Sequence, residues 1–285
     1  MAGPNRADFW NSMMKIDRRI IFLFIFVAIS VPMFLQIQLK IPTSPEVESL
    51  VATLDKLPDG ARVLVSLDYD PGSEPELQPM AETFFGYALK RKFKVIVIGL
   101  WPQGPIQAER AKPIAETQAG RQFEYGIDYV NLGYQAGNEL VIQRMGSSIP
   151  QTFPVDYFGK PITEFPIMQG VTNFSNIDYV FNLSAGYPGT VEWVLFAVDR
   201  FNIVLGAGNT AVQAPQVYPY LGKQLKGILG GMKGGAEFEI LTGLPGRAVK
   251  YMTGQTFAHT IIVLFIIIAN IAYFTTRKKE QGGLS

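Results

Sequence analysis

Two aspartates carry the clearest chemical signal in this chain. Asp68 and Asp70 stand in Leu67-Asp68-Tyr69-Asp70-Pro71-Gly72, directly after the apolar run 62–67 (RVLVSL). Carboxylates at i and i+2 leave a strand on the same side, and a pair of such oxygens suits a Mg²⁺ ion. Ser184 follows a second apolar run, 178–183 (DYVFNL), and offers a hydroxyl in the equivalent place. Gly206-Ala207-Gly208-Asn209-Thr210-Ala211 follows a third run, 202–205 (NIVL), with the spacing G-x-G-x-x-A. Such glycines let a phosphate approach backbone N–H groups at a helix start. Trp101 and Tyr134 follow two further runs, 94–100 and 128–132. Together Gly206, Gly208, Asn209, Trp101 and Tyr134 form the candidate ligand-binding set. A bland alternative stands beside each motif. Acidic residues at a strand-to-helix turn serve as solvated caps. The 206–211 segment also reads as a glycine-rich turn, because Pro215 limits a following helix and its strand is the last of the series rather than the first.

Other chemistries are excluded by composition. The chain of 285 residues has no cysteine and one histidine, His259, which lies in an apolar segment. Thiol nucleophiles, thiolate metal sites and histidine-based triads are therefore absent from the central region. A net charge of +1 supplies no field for nucleic acid. There is no G-x-x-x-x-G-K-[ST] phosphate loop.

An apolar strand followed by D-x-D resembles the first motif of haloacid-dehalogenase-type phosphatases. That resemblance implies Asp68 as nucleophile, Asp70 as acid/base, Ser184 in the place of the family's hydroxyl motif, and Mg²⁺ as cofactor. It covers only these few residues. Gly72 stands where the family has Thr, and no acidic pair follows 202–208 (NIVLGAG), which leaves the metal short of ligands. D-x-D also occurs in sugar-nucleotide transferases.

The elements that must position these residues alternate. Strands are predicted at 62–67, 94–100, 128–132, 178–183 and 202–205, with helices at 45–57, 74–93, 105–120, 138–145 and 189–200. Apolar runs without an alternating polar face indicate a mostly parallel sheet covered on both sides. The expected fold class is α/β, Rossmann-like or flavodoxin-like, with strand order left open. Residues 147–174, rich in proline and aromatics, are too long for an ordinary connection and read as a lid, a partner-contacting arm or a self-packed loop. Residues 216–235 read as a helix whose glycines, Gly227, Gly230, Gly231 and Gly234 among them, require close backbone approach to offset their helix cost of about 1 kcal/mol each. That approach would be to the sheet, to an apolar span or to another subunit.

Both ends of the chain are apolar. Residues 20–39 contain no charge, and residues 256–276 carry only His259 as an ionisable group. Each matches the roughly 20 residues that cross a bilayer. Arg6, Lys15, Arg18 and Arg19 precede the first segment, and Arg277, Lys278 and Lys279 follow the second. The positive-inside rule then puts both termini in the cytoplasm and the middle outside it. The expected organisation is a cytoplasmic segment 1–19 with interfacial-helix spacing, a span 20–39, an extracytoplasmic α/β domain 40–250, a span 251–276 and a cytoplasmic tail 277–285. Asn270, a polar amide deep in the second span, is expected to bond to Ser30 or Gln36 of the first or to a second copy.

Two functions follow. One is a non-enzymatic membrane component whose domain binds a partner or ligand within a larger assembly, with the bilayer and other subunits or further copies of itself as partners. Its layout of helix, ectodomain and helix resembles accessory subunits of some transport and gliding-type machineries. The other is a membrane-tethered, Mg²⁺-dependent hydrolase or transferase acting on a phosphorylated substrate through Asp68 and Asp70.

Overall fold

The computed structural model describes residues 10, 15–35, 37 and 39–282, with side chains to residue 275. The expected interfacial helix in 1–19 falls largely outside the described residues. The chain divides into two compact units, Lys40–Val249 and the two ends, Met1–Leu39 with Lys250–Ser285.

The Lys40–Val249 unit is built on one parallel sheet of six strands in the order β3-β2-β1-β4-β5-β6. These are β1 (Arg62–Asp68), β2 (Lys94–Gly99), β3 (Tyr129–Tyr134), β4 (Tyr179–Ser184), β5 (Leu205–Asn209) and β6 (Leu225–Gly230). This is the order of doubly wound dinucleotide-type folds, not the flavodoxin order. Among its helices, in chain order, are α1 (Arg18–Phe34), α2 (Pro45–Asp55), α3 (Glu74–Lys90), α4 (Gly104–Ala119), α5 (Glu139–Ser147), α6 (Thr190–Trp193), α7 (Gly231–Thr242) and α8 (Ala248–Gly282). Helices α2, α3, α4 and α7 cover one face, where Phe84 stacks on Phe181 at 4.1 Å. Helix α5, residues 149–177 and the helical stretch that starts with α6 cover the other.

Two expectations are corrected. The strand read at 202–205 lies later, at Leu205–Asn209, because Asn202 adopts a left-handed conformation (φ 54°) that stops the preceding helix. The glycine-rich stretch is not one helix but strand β6 followed by α7, which raises the strand count to six. Its glycines are spent inside the domain. A Cβ on Gly227 would stand 2.5 Å from Leu50 and from the Glu46 carbonyl of α2, and one on Gly234 would stand 2.6 Å from the backbone of Leu229. Residues 147–174 pack on the sheet and, together with Gly126, bond to its β3 edge. Tyr157 N–H donates to the Asn131 carbonyl of edge strand β3 at 2.8 Å, and Gly126 N–H to that of Tyr129 at 2.7 Å. A covered edge offers no template for strand addition.

Three buried glutamates fasten both ends of the domain. Glu237 of α7 accepts from the N–H and hydroxyl of Ser44, just before α2, at 3.0 and 2.5 Å. Glu239 of α7 accepts from Ala248 and Val249 N–H at 2.7 and 2.9 Å, so its carboxylate caps the start of α8. Glu82 of α3 accepts from Nε and Nη2 of Arg247, while burial pushes its carboxyl above the usual range.

Among the described residues one helix, Ala248–Thr275 within α8, is long and apolar enough to cross a membrane by length and composition. The first apolar segment forms α1, 17 residues long, capped by the Asp17 carboxylate. At 1.5 Å per residue it reaches about 25 Å, short of a hydrocarbon core of about 30 Å. Within the unit of the two chain ends, α1 and α8 pack together. Phe24 meets Phe265 edge to face at 5.9 Å, and a Cβ on Gly254 would touch Ile29 at 3.6 Å. The sheltered positions run Ile21, Ile25, Ala28 and Pro32 on α1, and Gly254, Ala258, Phe265 and Ala272 on α8, amid exposed apolar side chains. These are spacings of a two-helix seam with small residues at the contact.

Candidate functional site

Doubly wound sheets bind ligands outside the carboxyl ends of the strands, where the strand order reverses. Here that point lies between β1 and β4. The register aligns Ser66 with Asn182, Asp68 with Ser184, and Ser184 with Asn209, so polar side chains stand side by side across three strands. All five are completely buried.

Asp68 is the centre of this group. Its Oδ1 accepts from Leu100 N–H at 2.7 Å. Its Oδ2 accepts from Ser66 Oγ at 2.7 Å and from Asn182 Nδ2 at 2.6 Å. Burial pushes its carboxyl up to about 7, against the pull of these donors. The indole N–H of Trp193 lies near enough to pull the same way, without a hydrogen bond of its own. The chain of bonds continues outward. Asn182 Oδ1 accepts from Thr190 Oγ1 at 2.7 Å, and Thr190 Oγ1 accepts from Asn209 Nδ2 at 2.9 Å. Ser184 Oγ donates to Gln213 Oε1 at 3.2 Å, and Gln213 Nε2 donates to the Gly186 carbonyl at 2.9 Å. Above them Trp101 Nε1 donates to the Pro188 carbonyl at 3.0 Å, joining the loop after β2 to the loop after β4. Gly189 admits no side chain, since a Cβ would stand 2.0 Å from Ser184 Oγ. The crevice is thus occupied by the protein's own polar side chains and roofed by its own loops.

The second aspartate takes no part. Strand β1 ends at Asp68, Tyr69 turns to the opposite face and donates to Gln78 Oε1 at 2.7 Å, and Asp70 Oδ1 accepts from Ser73 N–H at 3.1 Å. Asp70 therefore caps the turn before α3 and is not paired with Asp68 on a shared ligand. Among the described residues no three acidic or histidine side chains converge as metal ligands would. Gly206 and Gly208 lie inside β5 rather than in a turn beyond it. A Cβ on Gly206 would strike Tyr179 Oη at 1.8 Å, and one on Gly208 would meet Leu183 at 2.5 Å. They make room for core side chains, and only Asn209 of that motif reaches the polar group. Asn270 belongs to α8, in the unit of the two chain ends.

Sequence reasoning missed Ser66, Asn182, Thr190 and Gln213. The signal for the first two was available: each is a polar residue inside a wholly apolar run, at a position of the same parity as Asp68 or Ser184. Such a residue must find a partner when buried.

Tyr134 lines a different feature. A cavity of about 320 Å³ opens between the carboxyl end of β3 and residues 153–157. Tyr134 and Tyr157, 41% and 43% exposed, stand at its rim. Its wall is fixed by Asp156, whose carboxylate accepts from Phe158 and Lys160 N–H at 3.0 and 2.7 Å and from Tyr125 Oη at 2.8 Å. With that carboxylate spent on the wall, the cavity presents aromatic and aliphatic surface, Gln135 and backbone groups. The size falls within the range of small-ligand sites, roughly 300–1,000 Å³.

No family model, curated protein or solved structure matches the chain.

Proposed function

We propose that this chain is a non-enzymatic membrane component whose α/β domain recognises a partner or an uncharged ligand, held in place by apolar helices at both ends. The observation that carries this reading is the filled crevice. A catalytic carboxylate must meet substrate or metal, whereas both oxygens of Asp68 are engaged by internal donors, three in all, and no face of it meets solvent. A sheet that uses its switch point for internal bonding has given up the usual place for chemistry. The β3 cavity with its exposed tyrosines offers an alternative recognition surface, its one acidic lining residue, Asp156, being buried and bonded to Phe158, Lys160 and Tyr125.

The anchoring half of the reading draws on α8, on the seam with α1 and on the basic residues flanking the apolar segments. In it α8 crosses the bilayer, and the apolar stretch 20–39, which continues past the end of α1, crosses antiparallel to it. Both termini are cytoplasmic and the domain is outside, as the positive-inside rule requires. Exposed phenylalanine, isoleucine and leucine side chains all round the pair suit lipid and would be costly in water.

Two measurements test this. Carbonate-washed membranes should retain the chain, and protease added from outside intact cells should reach the domain. The purified chain in detergent should show no melting shift with millimolar Mg²⁺. A shift that vanishes in Asp68→Asn would reinstate the phosphatase-like alternative.

A further inference from the structure

The outward side of α8 is not uniformly apolar. From residue 251 to 276 the helix has no Asp, Glu, Lys or Arg, yet His259 and Asn270 are both exposed. At 100° per residue they lie on one stripe, roughly 135° round the helix from the seam with α1. Val263, Ile266 and Tyr273 fill the same stripe at 52%, 55% and 49% exposure. The spacing of 259, 263, 266, 270 and 273 alternates four and three residues, which is the pattern of a helix-packing face.

Asn270 is under-used where it stands. One Nδ2 hydrogen goes to the Ile266 carbonyl of its own helix at 2.8 Å. Its Oδ1 and second amide hydrogen have no partner among the described residues. The first helix does not supply one: Ile29 sits by Gly254, which puts Ser30 near that level, about 24 Å along the axis from Asn270. In hydrocarbon an unmet amide is costly, and helices associate to satisfy it.

We propose that this stripe of α8 binds the same stripe of a second copy in the same membrane. Two copies inserted with one orientation place residue 270 at equal depth, so Asn270 faces Asn270. A carboxamide is both donor and acceptor, and two of them related by a twofold axis satisfy each other without any other chemistry. His259 meets its counterpart three turns away, again as donor and acceptor. The β3 edge, whose Tyr129 and Asn131 carbonyls already accept from Gly126 and Tyr157 N–H, is a poor template for pairing with a second sheet. The inference rests on the membrane reading above.

The absence of cysteine makes the test direct, because a single introduced thiol can pair only with the same position of another copy. The full chain carrying Ile266→Cys or Tyr273→Cys is purified, reconstituted into phosphatidylcholine vesicles, floated and oxidised. Both should give a disulfide dimer, while Ile261→Cys and Ile268→Cys on the sheltered side should not. Adding Asn270→Leu to Ile266→Cys should reduce the dimer roughly fivefold or more, and Asn270→Gln should keep most of it. Equal crosslinking on both sides, or floated protein with no product at 266 and 273, overturns the proposal alone. Protein that fails to float overturns the membrane reading and the dimer with it.

Discussion

Replacing Asp68 with asparagine turns the filled crevice into a measurable pH dependence. In the native state burial raises the Asp68 carboxyl from 3.8 to about 7. The folded protein therefore keeps a proton that the unfolded chain has released, and stability must fall as pH rises between those values. The contribution is complete below pH 3.8, is lost progressively up to about pH 7, and is flat above that. At about 1.4 kcal/mol per pH unit the total is about 4 kcal/mol. The asparagine of the variant has no charge to desolvate, so this slope disappears. It carries its own cost, because its amide nitrogen faces Ser66 or Asn182, donors that Asp68 accepted, and one unmet buried contact costs about 1–3 kcal/mol. The two proteins should thus exchange rank: wild type is the more stable at pH 4, and Asp68→Asn equals or exceeds it at pH 8. The assay is urea unfolding of the detergent-solubilised chain from pH 4 to 8, followed by tryptophan fluorescence. Other buried acids such as Glu82 are common to both proteins and cancel in the difference. Parallel stability curves for the two proteins would refute a buried carboxyl that holds its proton, and with it the sealed crevice.

Other perturbations give separate checks. Gly227→Ala should destabilise the domain by about 1–3 kcal/mol in the same unfolding assay, because its Cβ would stand 2.5 Å from the backbone of α2. Arg247→Met should cost about 1–3 kcal/mol, discounted for the partial exposure of Arg247, since it leaves the carboxylate of Glu82 buried without its cation. Trp101→Phe removes the bond to the Pro188 carbonyl, and amide hydrogen exchange in residues 185–189 should accelerate several-fold with stability changed by about 1 kcal/mol. Tyr134→Ala with Tyr157→Ala should leave the melting temperature within a few degrees of wild type, because both side chains are substantially exposed. A melt lowered by ten degrees would instead make these tyrosines structural.

The amino-acid sequence by itself determined the class of the fold and the apolar character of both ends. Runs such as 62–67 and 94–100, aliphatic on both faces, are stable only in a sheet covered on both sides, and that requirement is local. It placed β1, β2, β3 and β4 nearly where they lie, and the long apolar α8 with them. It did not place β5 or β6, because the glycines at 206, 208 and 227 have no side chain with which to report a period. Their role is to leave space for Tyr179, Leu183 and Leu50, residues distant in the chain. Strand order, too, is set by crossovers and not by any strand's own residues. The fate of the two aspartates was likewise a tertiary decision. Spacing alone put Asp68 and Asp70 on one side, but strand register brought Asn182 to Asp68 and the end of β1 turned Asp70 away. Whether a carboxylate meets a substrate or is engaged by its neighbours depends on which donors the fold delivers to it, and those donors lie 32 and 114 residues away as well as two.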